Sequence, residues 1–223
     1  MSPKREALPD RIHAELLSRI SDRQLVGGQV LVISDLATEF GCSPIPVREA
    51  LSRLREGGLV EYRAMQGFRV APPLTAVETR ALFIARLELE AIAARYAAGR
   101  PMAEATSAMA AINDEIRGLS LGRTYAGYQR FVQLNAEFHQ LLVGAAGNPF
   151  LEHAYGALGY NAQSARILHG VGLPDQARIC AEHDAIVDGL AAGDPARAAR
   201  VVRDHIRGGY ARLFREELPD APS

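Results

Sequence analysis

The run Leu36-Ala-Thr-Glu-Phe40-Gly-Cys-Ser43-Pro-Ile-Pro46-Val-Arg48-Glu-Ala50-Leu51-Ser-Arg-Leu54-Arg-Glu56-Gly-Gly58-Leu-Val60 decides the fold of the front of the chain. Val47, Ala50, Leu51 and Leu54 recur at helical spacing and give a helix from about Pro46 to Glu56 one apolar face. Gly57-Gly58 stops it, and Ser43 stands where an N-cap is expected. Ahead of it, Ser34 to Phe40 predicts a short helix with its own cap signal, ended by Gly41. Farther back, Ile12, Leu16, Leu17 and Ile20 stripe a helix within Leu8 to Leu25, stopped by Gly27-Gly28. Behind the run the period changes. Leu59 to Arg63 and Gly67 to Ala71, joined through Ala64-Met65-Gln66, predict a hairpin. Pro72-Pro73 then reads as a stiff break.

From about residue 75 to 217 the pattern is helical throughout. Stripes run through 75–98, 102–119, 124–145, 150–168, 174–192 and 195–217. The stops between them are Gly99-Arg-Pro101, Gly147-Asn148-Pro149, Gly170 to Pro174 and Gly193-Asp194-Pro195. Asp194 suits an N-cap and Pro195 the first helical position. The expected fold is mainly α: a winged helix-turn-helix over residues 1–73, then an antiparallel bundle of six helices over 74–223.

Composition narrows the classes. The 223 residues are 48 % hydrophobic and 23 % charged, ordinary for a folded chain. No run is long and apolar enough for a membrane span. Met1 to Glu6 has no apolar stretch of a secretory signal behind it. Cys42 and Cys180 make no disulfide framework. A reduced, cytoplasmic protein is expected. A net charge of −1 argues against general polyanion binding. Residues 1–73 hold ten Lys and Arg against nine Asp and Glu, and the excess gathers around Arg48, Arg53, Arg55, Arg63 and Arg69.

Helix, short helix, turn, helix and hairpin is the order that lays a second helix into the DNA major groove, with the hairpin touching the flanking backbone. Ser43 would offer its hydroxyl and nearby N–H groups to a phosphate. Arg48 stands away from the core face, where its guanidinium can fork onto guanine. Arg53 suits a phosphate, Gly67 lets the wing tip approach a sugar–phosphate edge, and Gln66 can hydrogen-bond there. Each feature alone also fits a solvated helix face or an ordinary turn. Together, the Pro46-Val-Arg48-Glu-Ala-Leu51 core and the Gly58-Leu-Val60 strand start resemble the DNA-binding domain of the GntR family of bacterial transcription regulators. That resemblance implies that Arg48 reads a base and that Gly67 nears the minor groove. Pro44 stands where the family often has a basic residue, and an arginine expected near Ser34-Asp35 is missing. The operator is therefore expected to differ from the commonest ones.

Three histidines fall on inward stripes of three helices. His139 lies with Tyr128, Phe131, Val132, Phe138 and Leu142; His183 with Ile179, Ile186 and Leu190; His205 with Val201 and Val202. One such histidine is ordinarily a hydrogen-bonded core residue. Three in one bundle can bind a divalent transition metal of the Zn, Ni or Mn class. The helical region resembles the FCD-type effector domain of FadR-like GntR regulators, and the count of six helices resembles the VanR-like subgroup. In metal-binding members a carboxylate lies four residues before the first histidine; here Asn135 occupies that place. An amide supplies no charge, so either metal binding is weak or a small anionic carboxylate effector completes the site. Arg86 is the candidate to hold that carboxylate. It would otherwise be an i,i+4 partner of Glu90 on an exposed face.

The resemblance implies a ligand-responsive regulator, most often a repressor, acting as a homodimer on double-stranded DNA with a palindromic operator. The alternative is a metal-dependent enzyme using the three histidines. Against it, no general base stands beside them: Glu137, Glu182 and Asp184 fall off the inward stripe. A third reading, a DNA-binding protein with a passive dimerisation bundle, leaves the inward polar residues without purpose.

Overall fold

The computed structural model describes residues 7–171 and 175–219. Its front part comprises α1 (Leu8–Ser21), β1 (Val30–Leu31), α2 (Ile33–Glu39), α3 (Pro44–Glu56), β2 (Val60–Arg63) and β3 (Gly67–Val70). Ile12, Leu16, Val47, Leu51, Leu54, Leu59 and Val70 are buried together, so the expected helical stripes and the hairpin close on one core. Strand β3 is central, with β1 and β2 antiparallel on either side. The β1 strand, Val30 opposite Arg69 and Leu31 opposite Phe68, was not expected; two residues are too short to show a period.

Local chemistry moves three boundaries. Helix α1 ends at Ser21 and not near Leu25, because Arg23 turns into the left-handed region at φ 58° and the N–H groups of Gln24 and Leu25 return to the Arg19 carbonyl. Helix α2 starts at Ile33 behind Val32, so Ser34 lies inside it and does not cap it. Helix α3 starts at Pro44, two residues early, because proline is pre-set for the first helical position.

The remainder comprises α4 (Ala76–Ala98), α5 (Ala103–Gly118), α6 (Tyr125–Gly144), α7 (Pro149–Ala157), α8 (Tyr160–Val171), α9 (Gln176–Ala191) and α10 (Pro195–Phe214). Residues 150–168, expected as one helix, are two. Gly159 takes φ +62° between them, and a Cβ there would lie 3.1 Å from the Gly57 carbonyl oxygen. The break lets the chain pass close under the end of α3. The bundle therefore has seven helices among the described residues, and the count of six that pointed to the VanR-like subgroup is not met. Of the expected stop at 170–174, residues 172–174 lie outside the described residues, as does the expected helix start at Pro174.

Helix α4 is the axis of the bundle, packed by α10, α6, α9 and α7. Phe83, Phe138, Leu142, Ile186, Val202 and Ile206 fill the space between. Thr75 and Glu78 form a capping box at its start. The expected cap of α10 is present: the Asp194 carboxylate accepts from the N–H groups of Ala196 (2.9 Å) and Arg197 (3.1 Å), with Pro195 first in the helix. The Pro72-Pro73 break has no regular structure, but it is held: Arg166 donates to the carbonyls of Ala71 (3.0 Å) and Pro72 (3.5 Å). Among the described residues no helix is long and apolar enough to cross a membrane.

Asp194→Ala is expected to cost about 1 kcal/mol. It should lower the urea midpoint of the helical part without changing the denaturant slope; an unchanged midpoint would deny the cap its role in fixing α10.

Candidate functional site

The three histidines come from α6, α9 and α10 and meet. Their ring centroids lie 5.4 Å (His139–His183), 5.1 Å (His139–His205) and 5.0 Å (His183–His205) apart, and one ligand atom from each lies within 4.8 Å of the others. Each Nδ1 has an acceptor on a different helix. His139 Nδ1 is 2.7 Å from Glu90 on α4, His183 Nδ1 is 3.2 Å from Asn113 Oδ1 on α5, and His205 Nδ1 is 2.9 Å from Glu182 on α9. A carboxylate only accepts, so His139 and His205 donate from Nδ1. The Asn113 amide is oriented by donating from Nδ2 to the Cys180 carbonyl (2.9 Å) and Asp184 (2.6 Å), which leaves Oδ1 to accept from His183. All three rings thus carry the proton on Nδ1 and turn the Nε2 lone pair inward. The Nε2 atoms of His139 and His183 are buried without a hydrogen-bond partner among the described residues.

Burial sets the charge state. It pushes the imidazolium form of His139 down to about 4, against the partial opposition of Glu90, and pushes His183 well below its ordinary value; His205 is lowered too, despite Glu182. Burial alone would raise Glu90, but Arg86 and His139 outweigh it and hold the carboxyl at about 2. Burial likewise opposes ionisation of Glu182, yet hydrogen bonds from His205 and Arg212 hold it at about 2. Near neutral pH the cluster is three neutral imidazoles, each oriented by an acceptor behind it, the pattern found behind metal-ligating histidines.

His205 also lines a cavity of about 320 Å³, together with Phe83, Arg86, Asn135, Tyr160 and Ser164. That is the size of a small-metabolite site. Arg86 is buried, not on an exposed face. It donates from Nε to Glu90 at 2.6 Å, lies 4.0 Å over the Tyr160 ring, and has a buried Nη2 with no partner among the described residues. Asn135, one turn before His139, lines the same cavity, and its side chain makes no hydrogen bond among the described residues.

Sequence reasoning missed Glu90, Asn113 and Glu182 as the acceptors that orient the rings. Asn113 was visible as a polar residue within the apolar stripe Met109, Ile112, Ile116. Glu182 was read as off the inward stripe. It reaches sideways to His205 and takes both terminal nitrogens of Arg212, with its side chain only 19 % exposed. Glu137 and Asp184 are exposed, as expected.

The other candidates lie on α3 and the wing. Arg48 is exposed and makes no ion pair among the described residues. Gly67 takes φ +77° with open space around it, and Gln66 is exposed beside it. Arg53 is partly engaged, paired with Asp10 at 2.6 Å. Ser43 occupies the N-cap position, but its side chain makes no cap hydrogen bond. Pro44 and Pro46 take the first and third helical positions, so of the N–H groups expected to face a phosphate only that of Ile45 remains in that turn.

Helix α8 joins the two regions. Tyr160, Ser164, Ile167 and Leu168 line the cavity. On other faces Gln163 donates to the carbonyls of Gly57 (3.4 Å) and Gly58 (3.0 Å) at the end of α3, while Arg166 holds the 71–72 segment. A Cβ on Gly57 would come within 2.7 Å of Ala162.

Residues 81–208 match the FCD domain, and residues 8–70 match the bacterial regulatory proteins of the gntR family. A relative named "Probable D-xylose utilization operon transcriptional repressor", from Paenarthrobacter nicotinovorans, is 30 % identical over 207 residues, 91 % of this chain and 87 % of that one. The HTH-type transcriptional repressor NanR of Cronobacter sakazakii is 26 % identical over 232 residues, covering 93 % and 85 %. The solved structure of E. coli McbR/YncC has a TM-score of 0.71 at 18 % identity, over 94 % of this chain and 98 % of that one, a likeness of fold. The family and these relatives are regulators, and the enzyme alternative has no support. The chain belongs to the GntR family of DNA-binding transcription regulators, with an FCD domain as its helical part.

Proposed function

We propose that the chain is a repressor that reads a palindromic operator as a homodimer through residues 1–73 and senses a small carboxylate in residues 74–223, with a divalent transition metal of the Zn, Ni or Mn class. What carries the reading is the pair of orphaned Nε2 atoms on His139 and His183, beside a cavity that holds His205, Asn135 and the unpartnered Nη2 of Arg86. A buried polar atom without a partner is costly, and a ligand is the ordinary remedy. Relatives named as repressors support the sign of regulation.

His139, His183 and His205 would hold the metal, with the Asn135 amide oxygen as a fourth donor. When bound, the metal supplies a Lewis-acidic centre for one carboxylate oxygen. The protein supplies no charge there. The imidazoles are neutral, Asn135 is neutral, and Glu90 and Glu182 are engaged by arginines. The effector's carboxylate would provide the missing negative charge, its other oxygen donated to by Arg86. Contacts in the cavity press on α8, and α8 holds the end of α3 and the 71–72 segment. An effector that prefers one setting of α8 changes the placement of the two DNA-reading heads in proportion to that preference.

Calorimetric titration with Co²⁺ tests the charge argument. The wild type is expected to bind Co²⁺ at least tenfold more tightly in the presence of acetate. Asn135→Asp should bind it tightly without acetate, and His183→Ala not at all. Equal affinity with and without acetate in the wild type would contradict the reading. For transmission, Gln163→Ala combined with Arg166→Ala should keep operator binding but lose the change that metal plus carboxylate causes, which in coupled systems is about 5–150-fold. Fluorescence anisotropy on an operator duplex measures both; an undiminished response would remove α8 from the path.

A further inference from the structure

Ile45 is 76 % exposed in the first turn of α3. A lone surface isoleucine is ordinary, but this one has an unusual setting. It stands in the N-terminal turn of the second helix of a helix-turn-helix, the part that meets base edges in the major groove. It is three residues from Arg48, so the two side chains are neighbours on the helix surface, turned from the core face of Val47, Ala50, Leu51 and Leu54. The turn around it has little that binds phosphate. Residues 41–47 contain no cation. Pro44 and Pro46 lack N–H groups, so the turn presents to a duplex mainly the branched side chain of Ile45 between two rings.

The base group that an apolar side chain recognises in the major groove is the thymine C5-methyl. We infer that Ile45 reads a thymine methyl in each half-site, within two base pairs of the one contacted by Arg48. Three residues of helix advance about 4.5 Å, and one base-pair step about 3.4 Å. The methyl therefore lies one or two base pairs from the guanine that Arg48 holds. With no cation in residues 41–47, what this turn offers the groove is an apolar contact, specific for thymine and insensitive to salt.

The inference rests on α3 being the helix that enters the groove, and one experiment separates the two. The full-length protein selects duplexes from a random pool, and each thymine of the winning half-site is replaced in turn by deoxyuridine, which lacks only the methyl. At one position, within two base pairs of a guanine, the wild type is expected to lose about fourfold in affinity per half-site. Ile45→Ala should bind the thymine and deoxyuridine duplexes equally, and Ile45→Val should retain part of the difference. If the wild type binds every deoxyuridine duplex as tightly as its thymine parent, or if Ile45→Ala keeps the full loss, Ile45 does not read a methyl. If no duplex is enriched, the placement of α3 in the groove fails and the inference fails with it.

Discussion

Three imidazoles can present lone pairs to one point in a bundle only if something fixes which nitrogen of each ring carries the proton. Here Glu90, Asn113 and Glu182 do so, from helices α4, α5 and α9, by accepting from Nδ1 of His139, His183 and His205. The acceptors are themselves fixed: Glu90 by Arg86, Asn113 by Cys180 and Asp184, Glu182 by Arg212. Removing water from such a cluster is unfavourable unless each polar atom finds a partner. All three Nδ1 atoms have one, and the Nε2 atoms of His139 and His183 have none among the described residues. That imbalance is what supports the proposed ligand site, and helices α4, α5, α6, α9 and α10 together hold the rings and their acceptors in place.

The same arrangement explains why sensing and DNA reading share one chain. Arg86 connects the acceptor layer, through Glu90, to the cavity wall, through Tyr160. Tyr160 begins α8, and within a few residues α8 grips the carbonyls that end α3. Gly57 and Gly159 make that approach possible, since side chains at either would meet the opposite backbone or Ala162. In the proposed reading a ligand need not act over a long distance: α8, which lines the cavity, also touches the DNA-reading unit.

Much of this was legible in the sequence. The apolar spacing of Val47, Ala50, Leu51 and Leu54 fixed the face of α3, and the Asp194-Pro195 pair fixed the start of α10. The inward stripes placed His139, His183 and His205 on facing surfaces because helical period alone determines which side a residue faces. What stayed hidden depends on geometry between elements. Gly159 broke a stripe that reads as continuous because the chain there must pass under Gly57. Glu182 looked off the stripe because its partner lies on the next helix, and Arg86 stayed open between a cavity role and an exposed pair with Glu90 because i,i+4 spacing makes the pair legible but not its burial. Two prolines in the first turn of α3 were legible from the start, yet their consequence, a turn nearly free of N–H donors, required knowing that the helix begins at Pro44.

The proton positions are the most direct test of the account. Long-range ¹H–¹⁵N correlation spectra of metal-free, ¹⁵N-histidine-labelled protein at neutral pH, assigned with single histidine substitutions, report the tautomer of each ring. The account predicts Nδ1–H with an unprotonated Nε2 at His139, His183 and His205 alike. An Nε2–H tautomer or a charged imidazolium at His139 or His183 would contradict it.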